Sequence, residues 1–300
     1  MVLRRILKFA AVFAGLMFAA VLGGYVYLAM SDGKRAKPLS LKGRVHDRPL
    51  LFAHRGGAQE APENTIPAFE KAIERGIDVL ELDVHLTSDE ELVVLHDKAL
   101  DRTTNVQGPV SERSLYEIKS ADAGYSYSYD NGTTYPYRGL GIKIPTLREV
   151  FERFPDELIN IEVKTDNLRA AKPLCGLIRE YERTDSVIVA SVTGEILSEF
   201  RDECAGVATS ASFDEILWFS FLFKIGLTKS FSADMQVLQI PEEMFSSGQI
   251  SREFIAAARE RNLEVHIWTK NRKDDIKRLF EFGVDGIMTD RPSIVTGFVR

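Results

Sequence analysis

At 300 residues and 45% apolar, the chain is long enough to bury a core as one large or two modest domains, which excludes a disordered polypeptide. The overall charge is −6, and residues 1–44 hold eight Lys or Arg against one Asp, net +7, so residues 45–300 carry −13. A body that acidic excludes nucleic acid as a partner.

In chain order, Phe9–Met30 (FAAVFAGLMFAAVLGGYVYLAM) runs without a charge for longer than a bilayer requires, behind Arg4, Arg5 and Lys8. The alternative is a cleaved signal peptide, but its apolar core would be about 7–15 residues and no A-x-A exit follows, so residues 1–30 read as a retained single-pass anchor. Lys34, Arg35, Lys37, Lys42 and Arg44 follow the span and compete with the three cations before it, so charge does not fix the orientation. A short N-terminus ahead of a large domain suits an N-in, domain-out topology. Residues 31–49 are polar and basic with no apolar period; the expectation is a linker that lifts a domain spanning 50–300 off the membrane.

Within 50–300, short runs rich in β-branched residues alternate with helical patterns: LLFAH 50–54, VLELDV 79–84, INIEV 159–163, VIVAS 187–191, VATSA 207–211, VLQI 237–240, VHIWT 265–269 and GIMTD 286–290. Eight strands separated by helices predict a (β/α)8 barrel of the α/β class, a TIM barrel. Helices are expected over 64–75, 168–182, 194–203, 251–261 and 273–282, with Gly76 and Gly283 stopping two of them. A ninth run, LVVLH 92–96, follows the second strand too closely for a parallel crossover. It is expected to return as a hairpin that sets Asp83 roughly opposite His96, while alternation puts Glu81 and Asp83 on one face. The stretch 98–145, with six of the nine tyrosines, is an insertion that either shapes the site or packs as a satellite cluster on the rim. Residues 213–231 (FDEILWFSFLFKIGLTKSF) show little polar face: the segment is either a buried barrel helix or one whose apolar side dips into a bilayer interface. Cys175 and Cys204 show no ligand spacing and read as buried small apolar residues that say little about compartment.

Polar groups at the C-terminal ends of barrel strands point into the site. That rule selects His54 and Arg55, then Glu81 and Asp83, then Glu162 and Lys164. Carboxylates without cysteine or a His-x-x-x-His favour a hard divalent ion, Ca²⁺ or Mg²⁺, with Glu81, Asp83 and Glu162 as ligands. Glu81 and Asp83 lie inside an apolar strand, where an unpaired charge costs several kcal/mol. Glu162 has a competing structural reading as the partner of Lys164. His54 and His96 suit proton transfer near neutrality, with Asp97 or another carboxylate to orient either ring, and Arg55 and Lys164 suit the phosphoryl oxygens. His266 either faces the mouth or points inward, satisfied by a neighbour.

These residues fall in an ordered set of motifs: His54-Arg55-Gly56, Pro62-Glu63-Asn64-Thr65, Glu81-Leu82-Asp83-Val84, Thr87-Ser88-Asp89 and His96-Asp97, then Asp101–Thr104, Ile144–Leu147, Glu162–Lys164, Trp268–Asn271 and Gly286–Asp290. The pattern resembles the glycerophosphodiester phosphodiesterase family over about Leu50 to Pro292. The resemblance implies a TIM-barrel hydrolase that cuts a glycerophosphodiester into sn-glycerol 3-phosphate and an alcohol. It further implies His54 and His96 as acid and base, and Glu81, Asp83 and Glu162 around the metal. Glu63 would be a ligand or lie just behind one, Lys164 would touch the phosphate, and Arg55 and Trp268 would contact substrate. The anchor and the apolar 213–231 segment resemble membrane-bound relatives that act as lysophospholipase D on lysophospholipids or N-acyl glycerophospholipids, which is the alternative function. A binding protein that kept the fold without the chemistry is the third reading, opposed by the full set of His54, His96, Glu81, Asp83 and Glu162.

Overall fold

The computed structural model describes residues 2–44, 47–165 and 167–298; Met1 of the expected anchor, Val45 and His46 of the expected linker, and residues 299–300 of the domain lie outside the described residues. Helix α1 (Val2–Met30) contains the apolar run and is exposed there except at Leu28, half-buried against the domain.

The barrel follows from alternation. In β2 (Val79–Leu86), Leu80, Leu82 and Val84 face the surrounding helices, which turns Glu81, Asp83 and His85 inward. Among the described residues, the remaining strands are β1 (Leu50–Ala53), β3 (Leu92–Val94), β4 (Leu158–Val163), β5 (Val187–Ala190), β6 (Ala208–Thr209), β7 (Val237–Pro241), β8 (Glu264–Trp268) and β9 (Gly286–Thr289). Eight of them pair in parallel in the order β6-β5-β4-β2-β1-β9-β8-β7, and a parallel bridge from Ser210 to Val237 closes the ring. Each expected strand is present, β6 in shortened form. β3 pairs antiparallel with β2, Val84 opposite Val94, so the hairpin forms with Asp83 opposite Leu95 and His96 one residue beyond.

The outer layer holds α2 (Ile66–Glu74), α3 (Leu115–Ile118), α4 (Leu147–Arg153), α5 (Ala171–Glu180), α6 (Gly194–Glu203), α7 (Phe213–Lys224), α8 (Glu242–Ser246), α9 (Arg252–Glu260) and α10 (Lys273–Phe282). Thr65 starts α2 by accepting from the Ala68 N–H, and Gly283 at φ +89° ends α10. The α3, α4 and α8 helices were not expected. α4 supplies the crossover from the β2–β3 hairpin to β4. In the insertion, Leu100, Val110, Ile118 and Ile144 form a satellite core with Val93 and Leu95 of the hairpin.

The barrel interior is filled at its N-terminal end by Phe52, Val79, Leu158, Ile188, Val237 and Met288. His266 belongs to this packing. It points inward, fully buried, with its ring 5.0 Å from that of Phe52 and its Nε2 3.3 Å from Glu264 Oε2. Gly286 makes room for it: a Cβ there would sit 2.6 Å from His266 Cδ2 and 2.9 Å from Phe52 Cε2.

Three expectations are revised. The expected linker does not stand free: residues 32–44 form a strap docked across the N-terminal end of the barrel. Ala36, Leu39 and Leu41 are buried there, Ala36 N–H donates to Arg261 O (3.0 Å), and Lys42 N–H donates to Asp185 O (2.8 Å). An extended segment satisfies its backbone on neighbouring loops and needs no apolar period to bury three side chains. Cys175 of α5 and Cys204 at the end of α6 are not merely apolar filler; they form a disulfide, because the two helices are neighbours and bring the Cα atoms to 5.5 Å. α7 packs on the barrel as a helix, but only part of its apolar surface is buried. Ile216, Phe219 and Leu222 are buried against the barrel, whereas Phe213, Leu217, Trp218 and Phe221 face outward.

Candidate active site

The mouth at the C-terminal ends of the strands is built first by backbone. After β1 the chain turns through His54–Gly56, where Arg55 adopts φ +53° and aims its N–H at Glu81 Oε2 (2.7 Å). Gly56, at φ +78°, lies where a Cβ would come within 2.9 Å of both Phe69 and Ala68, so the turn can sit tightly on α2.

Three carboxylates meet here. Oxygens of Glu81 and Asp83 from β2 and Glu162 from β4 lie within 4.8 Å of one another. Asp83 is buried, and its Oδ1 has no hydrogen-bond partner among the described residues, although Lys164 Nζ stands 3.5 Å away. Its Oδ2 accepts from Asn64 Nδ2 at 2.9 Å. Burial, then the charges of Asp83 and Glu162, push the Glu81 carboxyl up to about 8, against the opposing pull of His54. The cluster is therefore short of positive charge. The Lys164 ammonium, 2.7 Å from Glu162, supplies part of it; burial opposes that charge, but Glu162 and Asp83 raise its pKa above the ordinary lysine value. An all-oxygen donor set with an orphaned buried oxygen fits a hard divalent ion.

Two imidazoles flank the cluster, each backed by a carboxylate. His54 Nδ1 lies 2.6 Å from Asp290 Oδ1, and Asn271 Nδ2 holds the other oxygen of Asp290 at 2.7 Å. Burial opposes charge on His54, but Glu81 and the Asp290 contact outweigh it and raise its pKa. His96 Nδ1 lies 2.7 Å from Asp97 Oδ1, and the buried His85 ring holds the His96 carbonyl at 3.0 Å. Arg102, from the insertion, reaches back to Asp97 (2.6 Å) and Glu63 (2.8 and 2.7 Å). Burial works against ionising Asp97, yet the hydrogen bonds from Arg102 and His96 bring it down to about 2.

Of the residues expected at the site, His54, Arg55, Glu81, Asp83, His96, Glu162 and Lys164 converge. Glu63 is held by Arg55 Nη1 (3.2 Å) and Arg102 and stands outside the three-carboxylate group. Trp268 ends β8, half-buried over the interior. Sequence reasoning assigned no role to Asn64, His85, Arg102, Asn271 or Asp290. The strand-end rule applies to Asp290, which directly follows β9, and would have selected it.

This arrangement, three clustered carboxylates that could hold a cation with two carboxylate-backed imidazoles and a guanidinium at the mouth of a TIM barrel, suits a phosphodiester-cleaving hydrolase. The model of the glycerophosphoryl diester phosphodiesterase family matches residues 54–294, and the chain belongs to that family. It is 34% identical over 258 residues to a glycerophosphodiester phosphodiesterase of Caldanaerobacter subterraneus, covering 84% of this chain and 98% of that protein. It is 29% identical to the human lysophospholipase D GDPD1, over 96% of this chain and 98% of the relative. In fold it is similar to the glycerophosphoryl diester phosphodiesterase domain of a Mycobacterium tuberculosis protein (TM-score 0.72, 20% identity, 85% of this chain and all of that one). It is also similar to an Oleispira antarctica phosphodiesterase in complex with the product sn-glycerol-3-phosphate (TM-score 0.65, 23% identity, 83% and 96% covered).

Proposed function

We propose that the chain hydrolyses glycerophosphodiesters to sn-glycerol 3-phosphate and an alcohol, at a site where Glu81, Asp83 and Glu162 hold Ca²⁺ or Mg²⁺. The observation that carries this is the buried Asp83 Oδ1, which accepts no hydrogen bond among the described residues and lies beside Glu81 and Glu162. A divalent ion bound by these three residues supplies positive charge against the phosphoryl oxygens. Arg55 and Lys164 add fixed cations on either side and orient the phosphate. Asp290 keeps a proton on Nδ1 of His54 and Asp97 keeps one on Nδ1 of His96, which leaves each Nε2 to exchange a proton with the reacting groups. One imidazole takes a proton from the attacking water as its oxygen bonds to phosphorus, and the other gives one to the alkoxide that leaves as its P–O bond breaks. Glu63 and Arg102 brace Arg55 and Asp97, and Trp268 offers an apolar wall to the substrate.

In this reading α1 is a retained single-pass anchor. The lysophospholipase D match covers 96% of the chain, so it leaves out only about a dozen residues and includes part of the apolar helix. The Cys175–Cys204 disulfide supports a domain on the extracytoplasmic side, where such bonds persist. The exposed apolar face of α7 favours lysophospholipids as a second substrate class.

The test is the full chain in detergent with glycerophosphocholine or lysophosphatidylcholine, treated with EDTA and then Ca²⁺ or Mg²⁺. Chelation is expected to abolish choline or glycerol 3-phosphate release and the ion to restore it. Turnover that survives chelation would overturn the ligand assignment, and no turnover of either substrate would favour the binding-protein reading.

A further inference from the structure

Positions 213, 217 and 221 of α7 repeat at one-turn spacing with 218 beside them, and Phe213, Leu217, Trp218 and Phe221 are 44–48% exposed. The Trp218 and Phe221 rings stack at 5.5 Å. Single exposed apolar side chains need no explanation, but a stripe along a whole helix does. At its upper end Phe213 N–H donates to Val192 O (3.2 Å), and Val192, 59% exposed, lies on the loop that leaves β5 for the mouth. At its lower end α7 leads into a short turn, Thr228–Ser230, against which the end of α1 packs, and Gly33 N–H just after α1 donates to Lys229 O (2.9 Å). The stripe therefore runs from the point where the anchor leaves the domain to the rim of the active site. Lys37, Lys224 and Lys229 are exposed around the anchor end, where Lys34 pairs with Asp234 (2.6 Å).

We propose that this outward face of α7 is a second membrane contact, lying on the bilayer that α1 enters and holding the Val192 side of the mouth at the headgroups. The proposal rests on the retained-anchor reading of α1. Continuity with that span selects a bilayer over a second protein as the occupant. An apolar helix face with a tryptophan among phenylalanines suits the boundary between acyl chains and water, and the lysines at its lower end suit anionic headgroups. A lipid diester then reaches the site along the membrane surface, whereas a water-soluble diester needs no such contact.

The test uses the full chain in vesicles of phosphatidylcholine with phosphatidylglycerol. The substitution Trp268→Phe leaves Trp218 as the only tryptophan. Lipids brominated in the upper acyl chain are expected to quench its fluorescence about twofold and the bilayer to shield it from acrylamide. No bromine quenching, whether acrylamide reaches Trp218 or a second copy covers it, would overturn the proposal. In a chain with Trp268 intact, Leu217→Ser with Trp218→Ser and Phe221→Ser should lower turnover of vesicle-borne lysophosphatidylcholine about tenfold and leave glycerophosphocholine turnover unchanged. Equal loss on both substrates would make the stripe merely structural. Loss of α1 is read separately from the mass of the membrane-bound chain, and quenching reports on α7 whether or not that anchor reading holds.

Discussion

The two ends of the barrel are both rich in charge and use it in opposite ways. At the N-terminal end, Arg48 makes a fork to Asp78 (2.5 and 2.8 Å), Arg44 pairs with Glu264, and the buried Arg183 donates to the Phe154 carbonyl (2.8 Å). Arg261, 2% exposed, donates to Phe231 O (2.9 Å) and to Gly33 O of the strap. Cations there meet anions or carbonyls, and the result is a closed floor. At the mouth, three carboxylates crowd together, one of their buried oxygens accepts no hydrogen bond among the described residues, and Glu81 is pushed up to about 8. A fold can keep such an excess of one sign only where the rest of the structure holds it in place. Charge at the floor serves stability, and charge at the mouth serves a ligand.

Substitutions can break this division. The largest effect is expected from His54→Ala or His96→Ala, which should lower kcat about a thousandfold while the Tm stays nearly unchanged. Retention of substantial activity by both variants would remove the acid–base assignment. Next, Arg261→Ala should cost about 3 kcal/mol in a denaturant melt, because it empties a buried volume and strips carbonyls of their donors, with KM unchanged in the fraction that stays folded. A similar loss, about 3–4 kcal/mol, is expected for Cys175→Ser with Cys204→Ser, whose bridge spans 29 residues of chain. Equal stability of the bridged and unbridged chains would show that the disulfide constrains nothing.

The smallest effect concerns pH. Burial opposes ionisation of Glu264, but His266 and Arg44 outweigh it and lower its pKa. A carboxylate lowered in the folded state adds stability above its unfolded value, near 4.3, and loses it as pH falls through the folded value. Glu264→Gln should therefore cost about 1 kcal/mol at pH 7, and the difference from the natural chain should shrink in urea melts as pH falls below the unfolded value of about 4.3. A gap that persists in acid would show that shape, and not charge, holds Arg44.

What the sequence made legible was local or periodic. Strand alternation turned Glu81 and Asp83 inward, and the short gap before Leu92 forced the hairpin that delivers His96. Residues whose partners lie far away in the chain were not legible. His54 and Asp290 are 236 positions apart and meet only because β9 closes onto β1. Arg102 reaches Glu63 and Asp97 from an irregular insertion with no period to follow. The cysteine pair depended on α5 and α6 packing side by side, and the strap on loops at the ends of β5 and β8. In each case the missing information was tertiary packing, which motif spacing does not encode.

The strap also bears on the order in which the molecule comes together. Residues 32–44 are made early, yet Arg261, Asn262 and Glu264, to which they bind, lie more than two hundred positions later. Contacts of such separation form only after the intervening chain has condensed. A segment made before the ring therefore docks only on a finished one. Protection of the Ala36 amide from hydrogen exchange would thus time the completion of the barrel from the strap.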